Sequence, residues 1–123
     1  MAELFVFRQD IGRCLLTVIA GGHWNVADVH VYEKALRQQL LDMAQKGVSL
    51  GEVRLLVDTR GHGVQSQEVI DALKAMRAAT TDRVKKFAQL TSSALVNMQA
   101  RRVNAQAKQF DDEDEAIAWL MTD

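Results

Sequence analysis

Apolar and polar positions alternate in blocks along the chain. "ELFVFRQ" and "RCLLTVIA" are short apolar runs separated by "DIG". Aromatic and β-branched residues fill the runs, and Asp10 and Gly12 lie in the gap, so the two predict a β-hairpin with Cys14 inside its second strand. Leu16, Val18 and Ala20 fall on one face of that strand, and Leu15, Thr17 and Ile19 on the other. Both faces are largely apolar, which suits a strand covered on both sides. After "GGHWN", with Asn25 or Asp28 placed to cap, Val29, Tyr32, Leu36, Leu40 and Met43 recur at helical spacing up to a stop at Gly47. "EVRLLVD" has three consecutive apolar residues, Leu55, Leu56 and Val57, and predicts a parallel strand ending at Asp58. "SQEVIDALKAMRAA" predicts a helix with Ser66 as its cap and Val69, Leu73 and Met76 on the core side. "KFAQLTSS" reads as a strand and "ALVNMQARRVNAQA" as a helix carrying Val96, Ala100, Val103 and Ala107. "KQF" is a last short strand, and "DDEDEAIAWLMTD" a closing helix with Asp112 and Glu115 at capping-box spacing. The order β-β-α-β-α-β-α-β-α predicts an α/β fold: one mixed, mostly parallel open sheet of about five strands with about four helices.

Composition narrows the function classes. The chain has 123 residues and reads as one domain over 1–123, with 48% hydrophobic and 25% charged residues. A net charge of −1 gives no electrostatic footprint for nucleic acid. One cysteine, Cys14, forbids an internal disulfide, which fits a reducing, cytoplasmic setting. "MAELFVFRQD" has no signal-peptide pattern, and no apolar run reaches the roughly 20 residues of a membrane span.

Candidate chemistry gathers in "VRLLVDTRGHGVQSQEVIDALKAM", where a buried strand ends and a helix begins. Loops at the carboxyl ends of parallel strands are where ligands and partners meet such sheets. Gly61-His62-Gly63 is no P-loop, because no lysine follows; it reads as a turn needing positive φ at one glycine. His23, His30 and His62 lack the spacing of a metal site, so no metal or cofactor is expected. Asp58 stands alone without a second acid, base or nucleophile at readable spacing, so no enzyme is expected; its task is to accept hydrogen bonds from its own loop. Trp24 reads as a partly buried lid over the sheet end. The pairs Lys85-Lys86 and Arg101-Arg102 read as solvated faces.

The element order, "VRLLVDTRG", the helix after it and the terminal "FDDEDEAIAWL" resemble the STAS domains, and among them the small SpoIIAA-like branch, which is distantly similar to CRAL-TRIO lipid-transfer domains. Asp58 and Gly61 match the family's Asp and Gly. The resemblance implies a non-enzymatic regulatory or protein-interaction module whose partner is another protein, such as an anti-sigma-like or kinase-like regulator. The docking surface would be Asp58, Thr59, Arg60, His62, Gln65, Ser66 and Gln67, with "GGHWN" beside it and specificity from Arg60, His62 and Gln65. It also implies a phosphorylatable serine at the helix start. Ser66 falls one place early for that role, and Gln67, which takes no phosphate, holds the family's position. The alternative, which the CRAL-TRIO likeness implies, is a carrier or sensor of a small apolar or lipid-like ligand held between helices and sheet. An open edge on the opening hairpin leaves room for a homodimer. The Val96–Ala107 stripe offers only weak peripheral membrane contact, and burial against the sheet is favoured.

Overall fold

The computed structural model describes residues 4–62, 65–80, 83–91, 98 and 107–122. Five strands form one sheet: β1 (Phe5–Asp10), β2 (Leu15–Gly22), β3 (Arg54–His62), β4 (Lys86–Leu90) and β5 (Lys108–Phe110), in the spatial order β1-β2-β3-β4-β5. β1 runs antiparallel to β2, and every later pairing is parallel. Three α-helices belong to the described residues: α1 (Val26–Gln45), α2 (Gln67–Thr80) and α3 (Glu113–Leu120). The expected mixed open sheet is the observed one. The helix expected over 94–107, with Val96, Ala100, Val103 and the Arg101-Arg102 pair, lies outside the described residues except for Met98 and Ala107.

Local chemistry explains most element ends. Asn25 and Asp28, the two candidate caps of α1, act together: Asn25 Oδ1 accepts from Asp28 N at 2.9 Å, and Asp28 Oδ2 accepts from Asn25 N at 2.8 Å. Gly47 at φ +97° turns the chain away after α1. Asp112 caps α3 but accepts from Asp114 N at 2.9 Å, one residue earlier than a capping box with Glu115 requires. The other end of α3 is fastened by cations suited to a helix C-terminus: Arg54 Nη1 donates to Leu120 O, and Lys86 Nζ donates to Trp119 O at 2.9 Å. Lys86 is therefore a half-buried fastening rather than a solvated charge. Cys14 also departs from expectation. It follows a 3-10 turn over Ile11–Arg13 with φ 56°, so it is a half-buried turn residue and not part of β2.

The two-residue period of the strands splits the core into two layers. Leu16, Val18, Ala20, Leu55, Val57 and Phe87 face α1 and α2, where Val29, Tyr32, Leu36, Met43, Val69, Ile70, Leu73 and Met76 meet them. Leu15, Leu56, Ala88 and Leu90 face the other way, toward Ala116 and Leu120 of α3. Each fully buried aliphatic side chain contributes about 1.5–3 kcal/mol by leaving water. On the first layer Phe5, Phe7 and Trp24 surround Tyr32, with ring centroids 5.1–6.2 Å from it. Trp24 is only 6% exposed, so it is a core residue and more than a lid.

Arg77 enters the same layer. It is 3% exposed, donates from Nη2 to the Tyr32 hydroxyl at 2.9 Å, and sets its guanidinium carbon 4.8 Å from the Phe87 ring centroid and 5.6 Å from that of Tyr32. A desolvated cation over a ring gains about 2 kcal/mol. Burying an ion costs roughly several kcal/mol. The rings alone do not offset that cost.

Candidate functional site

The candidate site lies at the carboxyl ends of the parallel strands. β3 does not end at Asp58 as its apolar run suggests. It continues through Thr59, Arg60 and Gly61 to His62, because Gly21 and Gly22 of β2 supply partners for Gly61 and His62 past an irregularity between Ile19 and Gly21. Asp58 and Arg60 are two residues apart in a strand and so share the face that α3 covers. Asp58 Oδ1 accepts from Arg60 N and from Arg60 Nε, both at 3.0 Å, and Oδ2 accepts from Arg60 Nη2 at 2.8 Å. This bidentate ion pair fixes the guanidinium direction. The expected hydrogen bond from its own segment is thus present, along with a salt bridge the spacing did not reveal. The Arg60 side chain remains 40% exposed, and Glu113 Oε2 at the start of α3 lies 4.0 Å from Nη2.

Burial pushes the Asp58 carboxyl up, but hydrogen bonds from the Arg60 side chain and backbone, with its charge, outweigh it and hold the pKa below the usual carboxylate value. A depressed native pKa contributes stability that is complete above the unfolded value of about 4 and is lost as pH falls through the native one. Urea unfolding midpoints followed from pH 6 downward should therefore fall more steeply below about pH 4 in the wild type than in Asp58→Asn. Equal slopes would mean that the Asp58–Arg60 pair gives no net stability.

The expected contact residues divide into two groups. Arg60, Ser66 and Gln67 are exposed. Ser66 Oγ accepts from Val69 N at 3.3 Å, which is its capping role, and Gln67 Nε2 donates to Asp71 Oδ1 at 2.9 Å. Asp58, Thr59 and Gln65 are buried, with 8%, 7% and 7% exposure. Thr59 Oγ1 donates to Leu90 O at 2.6 Å and ties β3 to β4. Gln65 Oε1 accepts from Trp24 N at 2.8 Å, and its Nε2 donates to Gly22 O at 3.1 Å. Both side chains are satisfied internally, so Thr59 and Gln65 hold the rim together instead of presenting specificity, as had been expected of Gln65. Gly63, Val64 and the His62 side chain lie outside the described residues. No positive φ occurs at Gly61.

Sequence reasoning missed the acidic side of this rim. Asp111, Asp112 and Asp114 are exposed beside Glu113, which approaches Arg60. The acidic run was visible; its place next to Arg60 depends on β5 lying next to β4 and β4 next to β3. Chemically, Asp58 is a paired, low-pKa carboxylate and ill suited to proton transfer near neutral pH. Among the described residues, no three His, Cys, Asp or Glu side chains group to hold a metal, and no helix is long and apolar enough to cross a membrane.

Comparison with known proteins agrees with this architecture. The solved NMR structure of the protein TM1081 superposes with a TM-score of 0.69 at 11% identity, covering 100% of this chain and 93% of that one. The crystal structure of an uncharacterized DUF3478-family protein with a SpoIIAA-like fold from Shewanella loihica PV-4 superposes with a TM-score of 0.65 at 19% identity, covering 94% and 91%. No curated protein matches the chain. The family profile described as SpoIIAA-like matches residues 15–121, from the first residue of β2 to just past α3: the chain belongs to the SpoIIAA-like family.

Proposed function

We propose that the chain is a non-enzymatic, cytoplasmic interaction module that docks another protein on the rim formed by Arg60, Ser66, Gln67 and the first turn of α3. The observation that carries this is the Arg60 guanidinium, fixed by Asp58 yet exposed at the end of a central strand. The SpoIIAA-like fold supports a regulatory or interaction role in general. A side chain already ordered by a buried neighbour loses little entropy when a partner closes over it. Its surroundings define the partner's chemistry. Glu113, Asp112 and Asp114 ask for a basic patch, and Arg60 asks for a carboxylate or carbonyl acceptor set among those bases. Phosphorylation of Ser66 would add negative charge at the same end of the sheet and change that docking.

Capture experiments with immobilised protein test the reading. A partner held by the wild type should bind about tenfold more weakly to Arg60→Ala, since arginine is a frequent interface anchor. It should bind normally to Arg13→Ala, whose side chain is exposed in the β1–β2 turn at the opposite end of β2. Raising salt should weaken the contact. Equal binding by Arg60→Ala, or equal losses in both variants, would reject the rim as the docking surface.

A further inference from the structure

The side-chain polar atoms that are buried without a hydrogen-bond partner among the described residues are Arg77 Nε, Arg77 Nη1 and Gln109 Oε1. They occur on one side of the sheet. Arg77 stands over Phe87, which faces α1 and α2. Gln109 is the register partner of Gln89, which shares a face with Phe87 two residues earlier. One orphan set consists of donors on a cation and the other of an acceptor. No described carboxylate forms a salt bridge with Arg77. Residues 92–106, which connect β4 to β5, contain no Asp or Glu, and the acids outside the described residues are Glu3, Asp82 and Asp123.

A native core rarely leaves a guanidinium so incompletely paired, because the whole desolvation penalty of the charge then remains. Water would meet its N–H groups but not its charge. We propose that Arg77 anchors a small organic carboxylate beneath α2, with the carboxylate on Nε and Nη1 and the organic part against the Tyr32 and Phe87 rings. A singly charged carboxylate fits better than a phosphate, since Arg77 is the buried cation among the described residues and Leu73 and Met76, its neighbours on α2, are apolar core residues. Gln109 Oε1 on the same face accepts from a hydroxyl or amide donor on such a molecule. The site does not rest on the docking rim. It gives the ligand-holding alternative a defined place, and each survives failure of the other.

Sodium octanoate and octanol are the probes, since they share a tail and differ in charge. Calorimetric titration of the full chain should show saturable octanoate binding that octanol does not reproduce, weakened at least about tenfold in Arg77→Met. Absence of octanoate binding, equal binding of octanol, or equal octanoate affinity in Arg77→Met would overturn the proposal. Should Arg77→Met fail to fold, the wild type still decides. The Arg77 Nε–H resonance, assigned by through-bond NMR, should shift on octanoate addition, and an unmoved resonance would overturn the site.

Discussion

Tyr32→Ala is expected to lower the unfolding free energy by about 3–5 kcal/mol, the range for truncating a large buried aromatic residue. Tyr32 is 1% exposed and is the point where α1 meets the sheet. Phe5, Phe7 and Trp24 all pack on its ring, so truncation opens a cavity among rigid neighbours that collapse poorly. Its hydroxyl also accepts the Arg77 Nη2 bond, and its loss would leave that buried cation with still fewer partners. Domains of this size are stable by about 5–15 kcal/mol in total, so the variant should lose a large fraction of its stability and unfold at a much lower urea concentration. Urea titration followed by circular dichroism measures it. Tyr32→Phe separates the two parts: it keeps the ring packing and should cost only about 1.5–3 kcal/mol, the range for a hydrogen bond to a charged group. A loss below about 1 kcal/mol in Tyr32→Ala would mean that the aromatic cluster does not anchor α1.

Gln65→Ala is the second large effect, and it acts at the site itself. Gln65 joins the start of α2 to the β2–α1 connection through Trp24 N and Gly22 O, 41 and 43 residues away in sequence. Removing its amide takes a partner from the buried Trp24 N–H and should cost about 2 kcal/mol. If the loss is felt as local opening, exchange of the Trp24 amide hydrogen should accelerate about thirtyfold. NMR hydrogen exchange reads this directly. Unchanged Trp24 protection would show that the connection is held in place without Gln65.

The central strand and both core layers were legible because their signals are local. Leu55-Leu56-Val57 is apolar on both faces, and the alternation in β2 assigned Leu16, Val18 and Ala20 to one layer and Leu15 to the other, as the structure has them. Asn25, Asp28, Gly47 and Ser66 mark helix ends by chemistry that acts within four residues. What escaped depends on distant pairing. Thr59 to His62 carries no apolar alternation, and its strand geometry comes from Gly21 and Gly22 alongside. Gln65 looks like a surface residue until the loop it clamps is brought to it. The approach of Glu113 to Arg60 needs the whole strand order. Arg77 left a trace that was not used: it lies four residues after Leu73 and eight after Val69, on the apolar stripe of α2.

Chemical-shift mapping tests the central claim most directly. Isotope-labelled protein would be titrated with the partner captured by the wild type. The largest perturbations should fall on Arg60, Gly61, Ser66, Gln67 and the Asp112–Asp114 turn, with Asp58 responding beneath them. Perturbations confined to the outer stripe of α1 around His30, Arg37 and Leu41, or to the free edge of β1, would place the partner elsewhere and contradict the account.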